Sequence, residues 1–239
     1  MKYLFGLLFI IIYSQGFSQE TIINDPNVEV RNVPSFTAIK VSGGIDLYLS
    51  QGDDYSLAVS ASEEKYRDNI KTEVNNGVLV ISYNSDHSGR NSGDKRLRAY
   101  VSFKMLESLE GSGASDIIIK GTLTSNTMLI KLSGASDVKG VVKITNLSME
   151  LSGASTVFIN GTAQNLKLDA SGASDIKNYD LQVENCIAKL SGASDVRLTV
   201  TNSISATASG ASTLFYQGDP EKKEVATSGA SSISQRNNQ

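Results

Sequence analysis

From Val28 onward the chain alternates apolar and polar residues with a period of two, the pattern of strands buried on one face. Val28-Glu29-Val30-Arg31 and Phe36-Thr37-Ala38-Ile39-Lys40-Val41 both follow it, separated by a corner at Pro34. Ser42-Gly43-Gly44 then turns the chain into Ile45-Asp46-Leu47-Tyr48-Leu49, and Gln51-Gly52-Asp53-Asp54 turns it again into Tyr55 to Ser60. Ile70 to Val74 and Val78 to Tyr83 flank Asn75-Asn76-Gly77, a hairpin signal because Asn-Gly accepts the positive φ of a type I′ turn. Ser62 to Asn69 is the one stretch that reads as a helix, of about two turns, with Ser62 as its cap and Glu63 and Glu64 at its positive end. Asn84 to Lys95 is polar, lacks an apolar period and reads as an exposed loop, after which Leu97 to Phe103 resumes the alternation.

A second pattern then overlays the first. Ser-Gly-Ala-Ser occurs seven times, with its glycines at Gly113, Gly134, Gly153, Gly172, Gly192, Gly210 and Gly229. A near-constant period of ~19–20 residues marks a solenoid, since each unit is too small to bury a core and must stack on its copies. Aligned on the glycine, the chain shows two apolar columns. Four positions before it stand Leu109, Ile130, Met149, Leu168, Ala188, Ala206 and Val225; four positions after it stand Ile117, Val138, Val157, Ile176, Val196, Leu214 and Ile233. Coils of this length stacked at the ~4.8 Å strand spacing predict an all-β, right-handed parallel β-helix whose seven regular coils make a rod ~30 Å long. In this reading glycine permits the corner and alanine fits inside it. Residues 28–235 form a single β-helix domain, with irregular N-terminal coils and the short helix in 28–108 and the regular coils in 109–235.

Residues 1–18 have the anatomy of a secretory signal peptide, with Lys2, an apolar run from Leu4 to Tyr13 and a small-residue exit at Gly16-Phe17-Ser18. The run is short for a membrane span, so the mature chain is expected to be exported without a transmembrane segment, to the periplasm, the cell surface or the medium, with a flexible terminus over 19–27. The formal charge is −3, and removal of the leader, which carries only Lys2, lowers it to −4. That mild acidity gives no footprint for nucleic acid. One cysteine, Cys186, excludes an internal disulfide, and its place in an alternating strand reads as a small buried hydrophobe.

Chemistry-bearing residues are sparse, and no catalytic or cofactor-binding constellation emerges. His87 is the only histidine and sits among polar loop residues. Asp116, Asp137, Asp175 and Asp195 share one column, where stacked carboxylates are candidates for a hard cation. Thr156, Thr213 and Ser232 complete that column, however, and turn chemistry accounts for all seven positions. Tyr179 and Tyr216 follow the corners, accompanied by Phe158 and Phe215, and are the candidate aromatics of a binding face.

The leader, the Phe36-to-Leu49 segment with Gly44-Ile45-Asp46, the hairpin from Val74 to Ile81 and the repeated Ser-Gly-Ala-Ser corners together resemble the "putative autotransporter adhesin, head GIN domain" family, secreted or envelope proteins of Bacteroidetes. The likeness covers residues 28–235. It implies a parallel β-helix and a role in adhesion, with a surface glycan or protein as ligand. It implies no cofactor and carries over no catalytic residue. Asp46 departs from the family's pattern, which has Asn after Gly-Ile, and no β-barrel translocator is present in the sequence. Against the non-enzymatic reading stand a polysaccharide-active enzyme, which shares this architecture, and a purely structural envelope protein. Coil lengths that vary by only three residues leave little room for the projecting loops that line an enzyme groove.

Overall fold

The computed structural model describes residues 27–84 and 94–236. The expected leader over 1–18, the expected flexible terminus over 19–26 and His87 lie outside the described residues. Short strands come first: β1 (Glu29–Arg31), β2 (Ala38–Val41), β3 (Asp46–Gln51), β4 (Ser56–Ser60), helix α1 (Glu64–Arg67), β5 (Ile70–Asn75), β6 (Val78–Tyr83), β7 (Arg98–Phe103) and β8 (Ser108–Gly111). The long ones follow: β9 (Asp116–Leu132), β10 (Asp137–Leu151), β11 (Thr156–Ala170), β12 (Asp175–Leu190) and β13 (Asp195–Ala208). The last turn is divided into β14 (Thr213–Gln217), β15 (Lys222–Thr227) and β16 (Ser232–Gln235). All sixteen join one continuous sheet, wound into a β-solenoid of about 7 turns.

Each regular coil is one long bent strand closed by one Ser-Gly-Ala-Ser corner. Successive coils pair in parallel without losing the frame of the repeat. Leu109 stands opposite Ile130, then Met149, Leu168, Ala188, Ala206 and Val225. The column after the corner runs likewise from Ile117 through Val138, Val157, Ile176, Val196 and Leu214 to Ile233. These side chains fill the interior and are buried until the final turn, where Val225 is 50% exposed because no further coil covers it.

The corner is held by backbone. The alanine N–H of each coil donates to the glycine carbonyl of the coil before, as in Ala154 to Gly134 and Ala173 to Gly153, both at 2.7 Å. That approach leaves no room for a side chain. The glycines have φ near +71°, and a Cβ on Gly153 or Gly172 would lie 2.4 or 2.5 Å from the preceding glycine oxygen. One expectation fails here: the alanines point outward and are exposed, while the second serine of each corner is the residue that turns inward. The reason is polar. Buried Ser155 Oγ donates to Ser152 O, and Ser174 to Ser171, both at 2.7 Å, so the hydroxyl closes the turn from inside.

The N-terminal part of the fold, β1 to β8, is not built of simple coils. β2 and β3 pair in parallel with neighbouring turns, but β1 with β4, β4 with β7, and β5 with β6 are antiparallel. Short connections reverse the chain, including the Asn76-Gly77 turn with φ of 50° and 78°. α1 is a single turn whose N-cap is Glu63, not Ser62, and it has no side-chain cap. Ser62 is engaged elsewhere: its N–H donates to Lys95 O and its carbonyl accepts from Asn27 Nδ2.

The corner geometry predicts a sharp contrast between neighbouring residues. Gly172→Ala adds positive-φ strain and a backbone clash and is expected to cost about 3 kcal/mol or more, whereas Ala173→Ser, one residue later and exposed, stays within about 0.5 kcal/mol of wild type in denaturant titrations. Equal stability of the two variants would refute this account of the corner.

Candidate functional site

With the inward positions committed to packing, recognition chemistry is left to the outward columns. The acidic column lies on the flank that follows the corner. Asp116 and Asp137 are opposite one another, Thr156 interrupts, and Asp175 stands opposite Asp195. The fold lengthens this column at its start, because the pairing of β3 with β9 places Asp46 beside Asp116. Burial, reinforced by the Asp116 charge and more weakly by Asp94, holds the Asp46 carboxyl above the usual carboxylate range, against the opposing pull of the Arg98 guanidinium. Farther along, Asp175 meets Lys177 at 3.4 Å and Asp195 meets Arg197 at 3.1 Å. Among the described residues no three His, Cys, Asp or Glu side chains are gathered as a metal site.

Two positions farther along each strand runs a column in which rings and cations mix. Tyr100 pairs with Tyr48, Tyr48 with Ile118, Ile118 with Lys139 and Lys139 with Phe158; across the register slip between β11 and β12, Lys177, Arg197 and Phe215 align. Tyr48 and Tyr100 stack at 5.1 Å, Lys139 and Lys177 approach the Phe158 ring at 5.6 and 5.7 Å, and Arg236 lies 4.2 Å from the Phe215 centroid. The expectation for Tyr216 is overturned: it is 6% exposed and belongs to the core, since its place in the strand alternation points it inward. Tyr179 is half-buried, in a stretch of β12 where the register with β11 slips, and its carbonyl accepts from Thr199 Oγ1 at 2.8 Å. Phe158, Tyr179 and Phe215, all half-buried, carry aromatic surface on the regular coils, and Tyr216 does not.

A third feature escaped the sequence reading. Seven residues before the glycines stand Thr127, Asn146, Asn165, Asn185 and Ser203, which the fold stacks at a second corner. Asn165 Nδ2 donates to Asn146 Oδ1 at 2.9 Å and Asn185 Nδ2 to Asn165 Oδ1 at 3.1 Å, making a ladder of amides. Beside it runs an open furrow of about 240 Å³, lined also by Lys167 and by Ile187, which is 56% exposed. Alignment on the glycine places these asparagines in one column, so the signal was present, but a polar corner residue draws no notice until its partners are seen. The flank beyond is different again: Lys40 pairs with Glu110 at 3.2 Å and Lys131 with Glu150 at 3.0 Å, so its charges neutralise one another between coils.

Cys186 lies in the core, and burial pushes its thiol up to about 12, which removes it as a nucleophile at neutral pH.

A family model described as "Putative auto-transporter adhesin, head GIN domain" matches residues 35–220. The chain belongs to that family. Its fold recurs in a "putative adhesin" from Bacteroides fragilis, 23% identical with a TM-score of 0.79 over 89% of this chain and 98% of that one. It recurs in a "Putative lipid binding protein" from Parabacteroides distasonis, 23% identical with a TM-score of 0.64 over 88% and 98%. A "putative adhesin" from Parabacteroides merdae, 16% identical, gives 0.63 over 88% and 95%. No curated protein matches the chain. At these identities the solved structures establish the fold. Asp46, which follows Gly44-Ile45 within the matched residues, is the head of the acidic column.

Two measurements probe this flank. Because the folded state holds the Asp46 proton to a higher pH than the unfolded chain does, the ionised carboxylate costs stability above its pKa, and the cost disappears as pH falls. Asp46→Asn is therefore expected to raise the melting temperature at pH 7, with the gain vanishing below the ordinary value of 3.8; a lower melting temperature at pH 7 contradicts the assignment. Chelator treatment is expected to leave the melting temperature unchanged, and a drop reversed by calcium would establish a cation in the acidic column.

Proposed function

We propose that the protein is a non-enzymatic, adhesin-like binding module, exported to the cell envelope, that meets its ligand along a flank of the solenoid. The observation that carries the reading is the open furrow beside Asn146, Asn165 and Asn185, lying on a wall of stacked coils. An elongated surface of this kind suits contact spread over several coils, each adding a small increment. Family membership and the adhesin names of the structural relatives support it. The leader read in residues 1–18 supports export, and among the described residues no helix is long and apolar enough to cross a membrane. The acidic column supplies no catalytic pair in this reading: its carboxylates are set off by Lys177 and Arg197 or stacked against one another.

The test is a binding survey with the mature protein against neutral and charged glycans, matrix proteins and phospholipid vesicles, run beside turnover assays on the same polysaccharides. Retention of at least one macromolecular ligand without turnover is the expected result. Polysaccharide cleavage lost on Asp137→Asn or Asp195→Asn would overturn it in favour of an enzyme, and absence of binding throughout would favour a structural role.

A further inference from the structure

We infer that the furrow along the asparagine ladder is a site for a neutral, extended glycan chain lying parallel to the solenoid axis; the inference rests on the binding-module reading and names its ligand class. An Asn side chain offers two N–H donors and two lone pairs. Asn146 donates to Asn126 O and accepts from Asn165, while Asn165 donates to Asn146 and accepts from Asn185. Each therefore uses one donor and one acceptor within the ladder and keeps one of each for the outside. Asn185 Oδ1 is filled by Asn202 Nδ2 at 2.7 Å and Ser203 Oγ at 2.8 Å, which leaves it one N–H. The result is a row of amide donors and acceptors repeating at the ~4.8 Å strand spacing.

The other bank of the furrow holds Ser148, Lys167 and Ile187, the last 56% exposed. A ligand must then present paired hydroxyl donors and acceptors at a short regular repeat on one side and, at Ile187, an apolar surface on the other. An extended chain of sugars has both, in its hydroxyls and in the C–H faces of its rings. The lining contributes one charge, Lys167, against three amides, two hydroxyls and three aliphatic side chains, so hydrogen bonding and apolar contact outweigh charge in it, which suits a neutral polymer. A protein partner fits less well, because among the described residues the exposed large hydrophobics, Val30, Met105, Val141, Ile187 and Val225, lie on five different strands or connections and only Ile187 lines the furrow.

Calorimetric titration of the mature protein with cellohexaose, xylohexaose and mannohexaose, with hexagalacturonate as the charged control, decides the matter. At least one neutral hexasaccharide is expected to bind, more tightly than its trisaccharide, and more tightly than the control. Asn165→Leu, which removes the central pair of hydrogen-bonding groups, is expected to weaken that binding about tenfold or more. Should Asn165→Leu fail to fold, Ile187→Ser and Ser148→Trp, at solvent-accessible positions, test the same furrow, and both are expected to weaken binding. Affinity unchanged in the folded variants, or preference for hexagalacturonate, overturns the inference. Binding to matrix protein or vesicles with none to neutral glycans overturns the inference and leaves the binding module standing; no binding to any ligand overturns both.

Discussion

The structure depends on one close approach, the alanine N–H of each corner donating to the glycine carbonyl of the coil before it. With the bond at 2.7 to 2.8 Å, the next glycine lies so near that its missing Cβ would fall well inside contact distance of that same oxygen. Positive φ and the absence of a side chain are thus two aspects of one requirement, and only glycine meets both. Because the bond recurs at every turn, it also acts as a ruler: each coil restarts its alternation at the same point, and every column, inward or outward, inherits its register from the corner.

Variation in coil length is absorbed away from that ruler. Between β11 and β12 the register holds at the corner, slips between Val157 and Gly161, and is recovered at Leu181. Between β12 and β13 it slips again over the same flank before the corner restores it. Bulges of this kind cost a few ladder bonds but leave the core columns and the corners aligned. Tyr179 owes its half-buried position to such a slip. The insertions are only one to three residues long, so they ripple the wall of the solenoid without raising a loop above it.

The three outward surfaces then differ through pairing across coils. On the flank bearing Lys40, Glu110, Lys131 and Glu150, opposite charges face each other between neighbouring strands and stabilise stacking modestly. On the acidic flank, Asp46, Asp116 and Asp137 stack like on like, and relief comes from solvent, from Arg98, or by proton uptake at Asp46. At the second corner amides stack on amides, a neutral arrangement in which every rung both gives and takes a hydrogen bond. That corner combines regular polar groups with an adjoining furrow, which is why recognition is placed there.

Much of this was legible in the sequence because a solenoid is nearly one-dimensional: a column in the alignment is a column in space, so the core ladder, the acidic column and the parallel stacking followed from residue spacing alone. Alternation likewise identified the Asn76-Gly77 hairpin and the burial of Cys186. What spacing could not decide was direction at the corner, since Gly, Ala and Ser are all small enough for either side; the hydroxyl's bond to the serine carbonyl three residues before it turned the serine inward and left alanine outside. Nor could it show that Asp46 heads the acidic column, a neighbour brought in from seventy residues away by the parallel pairing of β3 with β9; the inward turn of Tyr216, by contrast, was open to the sequence, two positions after inward Leu214 on the same strand. The sequence by itself determined the repeat, the ladder and the fold class, because these rest on local sterics and periodic burial. The tertiary structure alone decided which polar columns touch, because a hydrogen bond between side chains on successive coils exists only once backbone register has brought them together.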